Sequence, residues 1–258
     1  MQQYLNQIKQ KVKDSDLVVV GLGEEWNISS DAMESEAYQR ISEDLKEHPE
    51  YKWILPYVYE KLTDETLKSA YTQLFEMLAD KNYFVVATTT NSSFLPYVKG
   101  GRAVMPCGSS RFMCEEALTD RETYREFLES LDLYIAGDVS LADIHFVQKE
   151  SGELLTFNNI YAPGYEEKEY LHHWQEYMSW LQGTMNRNTC LLELGAGLQF
   201  PSVFRFPFEK MTYFNRKAFC FRVHKSLYQL TEEMAERSVS VQMHAVDLFA
   251  QSEQRILV

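Results

Sequence analysis

The sequence predicts an α/β chain on a doubly wound, Rossmann-like parallel sheet of about six strands, with a small β-rich and helical insert. Several short runs, such as LVVV at 17–20 and TCLLEL at 189–194, are apolar with almost no polar interruption. That is the pattern of strands covered on both faces, as in a parallel sheet. Two of the runs end in glycine turns, GLG at 21–23 and GAG at 195–197, and helical periodicity separates one run from the next. Alternation of this kind is the mark of strands joined by crossover helices.

Residues 2–14 have an amphipathic helical period and feed the first strand, at 17–20. It ends in Gly21-Leu22-Gly23, and Glu24 and Glu25 follow where a phosphate would favour neutral backbone or a hydroxyl. Two meanings stay open there, a modified nucleotide loop or a tight turn with no ligand. Residues 31–80 are helical in short pieces broken by Pro49 and Pro56, a helical insert. Tyr38, Tyr51, Trp53, Tyr57 and Tyr59 within it suit packing better than a pocket. The second strand, 83–89, runs into Thr90, Asn91, Ser92 and Ser93. Ligands of open α/β sheets bind beyond the carboxyl ends of strands, which marks this cluster; a helix cap at Ser92 or Ser93 is the alternative.

Residues 100–114 (GGRAVMPCGSSRFMC) read as a loop, a short extended piece and a further glycine turn. By context Cys107 is the most exposed cysteine, and Arg102 and Arg111 would favour its thiolate, although a lone cysteine without a base is ordinarily inert. Residues 110–160 hold a small β-rich insert; 131–161 is its β-rich stretch, with 143–147 and 153–158 paired as a hairpin turning at 150–152. A helix over about 166–181 carries His172 and His173, which as neighbours point in different directions and cannot share a metal. The stretch LLELGAGLQFPSVFR at 191–205 organises the chain. Gly195 and Gly197 let backbone approach a ligand closely, and a helix from Ser202 aims its amides at the same spot, the geometry of a phosphate-binding crevice. Strands at 218–223 and 238–244, separated by a helical segment at 226–236, complete the sheet, and Asp247 follows the last.

With 258 residues and 45% hydrophobic content, the chain is long enough for one large domain with inserts. A net charge of -13 repels nucleic acid and anionic membrane, so neither is expected as a partner. No apolar run approaches the roughly 20 residues that cross a bilayer, and residues 1–14 lack the core of a secretory leader, so a cytoplasmic location is expected. The four cysteines, 107, 114, 190 and 220, show no paired spacing, which argues against a disulfide framework or a complete zinc site. Cys190 and Cys220 lie inside strands and read as core.

Together these pieces resemble the sirtuin family, and within it the divergent microbial branch associated with macrodomain proteins. The sharpest segment is ELGAGLQFPSVFRFPFE at 193–209, which looks like that branch's glycine turn against the cofactor. Gly21 and Gly23 match the first and third positions of the family's Gly-Ala-Gly, while its Asp-Phe-Arg is missing. Thr89, Asn91 and Ser93 fall on Thr-x-Asn-x-Asp, with serine in place of aspartate. CGSSRFMC at 107–114 resembles the family's His-Gly-Ser and first zinc cysteine, which puts Cys107 where the base histidine stands and Cys114 at the first ligand. Ala117, Gln148 and Ser151 fall on the other three ligands, implying an insert without zinc. His224 falls near the asparagine that meets the adenosine ribose, and Asp247 near the adenine.

The resemblance implies NAD as cofactor, bound by Gly21, Gly23, Thr89, Asn91, Gly195, Gly197, His224 and Asp247, with Cys107 and Asn91 as catalytic residues. An enzyme of this kind cleaves the nicotinamide bond and passes ADP-ribose to an acyl-lysine oxygen, another acceptor or water. Its partners would be the nucleotide and an acylated or ADP-ribosylatable protein. A thiol with an ordinary pKa near 8.5 is a poor substitute for a histidine base, which disfavours standard deacylation. Two other functions stay open: binding of NAD or ADP-ribose without chemistry, and an interaction scaffold in which Glu24 and Glu25 fill the phosphate space.

Overall fold

The computed structural model describes residues 2–112, 121–149 and 151–250. Its strands are β1 (Leu17–Leu22), β2 (Asn82–Ala87), β3 (Ala103–Val104), β4 (Gly108–Phe112), β5 (Phe157–Asn159), β6 (Thr189–Leu194), β7 (Ala218–Val223) and β8 (Ser238–Val241). The helices are α1 (Gln2–Asp14), α2 (Ser30–Met33), α3 (Glu36–Glu47), α4 (Leu55–Lys61), α5 (Glu65–Met77), α6 (Arg121–Ala136), α7 (Lys168–Gln182), α8 (Arg205–Phe214) and α9 (Ala245–Phe249). Six strands form one parallel sheet in the order β3-β2-β1-β6-β7-β8. From β1 the chain winds outward through β2 to β3, then returns to β6 and winds the other way. The strand order therefore reverses between β1 and β6, where connections leave in opposite directions and open a crevice at the strands' carboxyl ends.

Every residue of β1 and β6 is buried, as their almost wholly apolar runs lead one to expect, Glu193 included. Side chains alternate between faces. Val18, Val20 and Leu22 join Leu192 and Leu194 against α1, α5 and α9, whereas Val19 and Leu191 join Phe84 and Val86 against Tyr177 of α7 and Phe208 of α8. Cys190 and Cys220 are free thiols in these cores. A second centre of packing lies outside the sheet, where Ile41 and Leu45 of α3 and Trp53 meet Phe127, Leu131 and Tyr134 of α6 and Phe157 of β5. Trp53, Tyr51 and Tyr57 are thus packing residues, Tyr51 stacked on Phe146 and Tyr57 on Phe157. β4 and β5 pair antiparallel as the small insert sheet.

Four expectations change. Residues 131–136 are not β structure but the end of α6, whose buried Phe127, Leu131, Tyr134 and Ile135 recur at helical spacing. The segment 226–236 is irregular until a 3-10 turn at Glu232–Arg237. Its carbonyls have other partners: Arg205 donates to Leu227 O and Arg222 to Gln229 O, while the Ser226 and Leu227 amides donate to His224 Nδ1. Helix α8 starts at Arg205 rather than Ser202, with Phe206 N donating back to Pro201 O. The expected hairpin of 143–147 with 153–158 is reduced to a bridge between Gln148 and Leu154, flanked by bonds from Lys149 N to Glu153 O and from Leu155 N to Val147 O.

Candidate functional site

The turns after β1 and β6 cross in the crevice. Gly23 N donates to Leu194 O at 2.8 Å and Glu25 N to Gly195 O at 3.3 Å. Gly195 has φ +71°, a conformation that favours glycine. A Cβ on Gly23 would stand 2.0 Å from Gly195 O, so the crossing requires glycine there for space alone. Gly21 faces the Phe204 ring, which a Cβ would meet at 2.4 Å.

Both glutamates fold back over these turns. Glu24 Oε2 accepts from Gly197 N at 2.6 Å. Buried Glu25 accepts from Lys225 N at 3.1 Å through Oε1 and from Ala245 N at 2.8 Å through Oε2, tying the ends of β7 and β8 to the turn after β1. Burial pushes the Glu25 carboxyl up to about 7, although its two backbone donors pull the other way. The fold therefore holds this proton more tightly than the unfolded chain, whose ordinary value is near 4.5. Its contribution is complete below pH 4.5 and lost as pH rises through 7, a change of about 3 kcal/mol. His224 and His244 slope the opposite way: burial lowers each to about 4, so their contribution is lost as pH falls from 6.5 towards 4. The two slopes overlap, so urea unfolding of wild type and Glu25→Gln should be compared. The difference between them is expected to move by about 3 kcal/mol between pH 4.5 and 7.5. A constant difference would mean that Glu25 titrates normally.

Behind the β6 turn lies a buried ion network. Glu193, fully buried, meets Arg205 at 3.1 Å and Arg222 at 2.8 Å, and Arg222 also reaches Glu209 at 2.8 Å. Arg205 donates to Ala196 O at 3.1 Å, so the network grips the backbone between Gly195 and Gly197. This explains why ELGAG and the later arginines and glutamate form one motif: Glu193, Arg205 and Glu209 hold a turn. Arg222 was not marked by the sequence. A charged residue inside a buried apolar run, as in AFCFRV, was the available signal.

Across the crevice, Asn27 Oδ1 accepts from Thr89 Oγ1 at 2.8 Å and from Thr90 N at 2.9 Å. Asn91 Nδ2 donates to Asn27 O at 2.9 Å, Thr63 Oγ1 at 3.0 Å and Tyr59 O at 3.2 Å, while its Oδ1 accepts from Ser93 N at 3.0 Å. Thr89 and Asn91 thus brace one wall. Cys107, expected to be exposed, is buried; burial and the Glu24 charge both push its thiol up, so Arg102 and Arg111 do not make it a thiolate. Tyr165 OH donates to Pro106 O beside it. His224 Nδ1 accepts from the Ser226 and Leu227 amides at 2.9 and 2.8 Å, so its 3.6 Å approach to Glu25 is not an ion pair. Asp247 Oδ2 accepts from Ser30 Oγ at 3.2 Å. His244, beyond the end of β8 at the N-cap of α9 and not singled out by the sequence, is buried with no hydrogen-bond partner at either ring nitrogen. His172 and His173 lie on the surface beside Glu176.

Cys114 and Ala117 lie outside the described residues. Among those described, no group of three or more histidine, cysteine or acidic residues is placed to hold a metal, and no helix is long and apolar enough to cross a membrane.

The architecture is that of a divergent sirtuin-like fold. No protein-family model matches the chain, and no curated protein matches it in sequence. Among solved structures it is similar to a sirtuin studied for substrate affinity, at 16% identity and a TM-score of 0.51, over 100% of this chain and 97% of that one. A Sir2 in complex with an inhibitor, 2′-O-acetyl-ADP-ribose and a deacetylated p53 peptide matches at 14% identity and a TM-score of 0.50, over the same shares. At such identities the likeness is one of fold.

Proposed function

We propose that the crevice at the β1–β6 reversal takes NAD or ADP-ribose and that the chain is an NAD-linked protein of the divergent, macrodomain-associated sirtuin-like branch. One observation carries this: two glycine turns meet at the switch point of a sirtuin-like sheet, where such folds place nucleotides. In this assignment Gly195 and Gly197 supply the phosphate side, Gly21 and Gly23 set the facing turn, and His224 and Asp247 flank the ribose and adenine. Thr89 and Asn91 fix the opposite wall. Buried His244, with both ring nitrogens unpartnered, offers a donor and an acceptor for a polar ligand.

The chemistry that goes with this assignment is transfer of ADP-ribose to an acylated or otherwise ADP-ribosylatable protein, or to water. Cys107 occupies the position of the proton acceptor, but burial keeps it a thiol. Activity on acyl-lysine peptides is therefore expected to be slight. Calorimetric titration with NAD and with ADP-ribose is the test. Saturable heat from either supports the assignment, and silence from both at millimolar concentration, in wild type and in Glu24→Ala alike, ends it. Strong NAD-dependent deacylation by the unmodified protein would show that Cys107 is no obstacle.

A further inference from the structure

Glu24 and Glu25 are neighbours in sequence but are held very differently. Glu25 is buried and anchored by two backbone donors, and a Cβ on Gly195 would meet its Cβ at 2.6 Å. Glu24 is half-buried and has one contact of note, the 2.6 Å bond from Gly197 N. Its carboxylate points one oxygen at that glycine, with Oε2 2.9 Å and Oε1 3.8 Å from where a Cβ would be. That amide and that open face are what a glycine turn offers a phosphate oxygen. Burial first, and the Glu24 charge after it, push the Cys107 thiol and the Tyr161 hydroxyl up, so the Glu24 charge is felt at both.

We propose that Glu24 is a built-in occupant of the crevice's anion site, an internal stand-in that a phosphate or diphosphate ester must displace from Gly197 N before it can bind. The inference deepens the assignment of the crevice to a nucleotide and rests on it for the natural ligand, but the displaced contact can be tested with a simpler anion. Two features suit Glu24 to this role. Its single bond lets the side chain swing out while Glu25 keeps the turn in place. Its charge opposes the incoming phosphate as long as it stays, so ligand and carboxylate exclude one another electrostatically as well as sterically.

The experiment titrates inorganic pyrophosphate and ADP-ribose into wild type, Glu24→Ala and Glu24→Gln by calorimetry, with the Gly197 amide followed by NMR. Thermal unfolding confirms that each variant is folded, and the glutamine variant keeps the side-chain volume. The expected result is pyrophosphate affinity at least tenfold higher in Glu24→Ala than in wild type, with a shift of the Gly197 amide, and an intermediate gain in Glu24→Gln. Equal or weaker affinity in the variants, or no binding of pyrophosphate by any of them, overturns the proposal. If Glu24→Ala gains pyrophosphate but takes neither ADP-ribose nor NAD, the stand-in is upheld and the NAD assignment falls. If ADP-ribose binds wild type and Glu24→Ala equally well and pyrophosphate gains nothing in the variant, the NAD assignment holds and the stand-in falls.

Discussion

Arg222→Met is expected to lower stability by about 3–5 kcal/mol, enough to unfold a large fraction of the chain. Arg222 lies inside the sheet with a side chain 2% exposed, bonded to Glu193 and Glu209, and Glu193 is wholly buried. Removing the arginine leaves the fully buried Glu193 with Arg205 as its remaining ionic partner, and a buried charge without compensation costs far more than an ion pair gains. Glu193→Leu with Arg222→Met removes one charge of each sign, and Arg205 keeps its bonds to Ala196 O and Leu227 O. The double variant is therefore expected to be more stable than Arg222→Met alone, a non-additivity that urea unfolding reads directly. A cost under about 1 kcal/mol for the single change would mean that the network is ornamental. The effect should also reach the crevice, because Arg205 holds Ala196 O between the two glycines.

How much of this was legible in the sequence varies with the kind of force involved. β1, β6 and β7 are placed within two residues because short, almost wholly apolar runs between turns have few other uses, and both glycine turns follow from them. At 131–136 only Leu131-Asp132-Leu133 alternates, too short a piece to reveal the helix; its period emerges when the whole of 121–136 is taken together. The segment 226–236 has a helical pattern, but its carbonyls are claimed by Arg205 and Arg222, which are distant in sequence. The same limit hides the fate of Cys107: two nearby arginines suggest a thiolate, whereas burial, and after it the charge of Glu24 over eighty positions away, push the thiol up. Glu24 and Glu25 were noticed as a misfit for a phosphate loop. That they would take up the backbone donors themselves depends on how two loops cross, which no local pattern encodes.

That crossing is the basis of the last expected result, a contrast between two identical substitutions. Gly23→Ala should destabilise the protein by about 3 kcal/mol or more, whereas Gly197→Ala should cost less than about 1 kcal/mol. Gly23 has φ −87°, open to any residue, so backbone strain is not the reason. Its added Cβ would stand 2.0 Å from Gly195 O, 2.2 Å from Gly195 C and 2.4 Å from Ala196 N, all main-chain atoms. Relief requires the two turns to move apart, which would break the Gly23 N to Leu194 O bond and loosen the seat of Glu25. A Cβ on Gly197 would meet only the tip of Glu24, at 2.9 Å, and a flexible carboxylate can swing away at little cost. In a chain of this length the first change corresponds to a fall in Tm of about 6–12 °C and the second to a few degrees. Equal falls for the two variants would mean that contact between the turns is not what holds the crevice together.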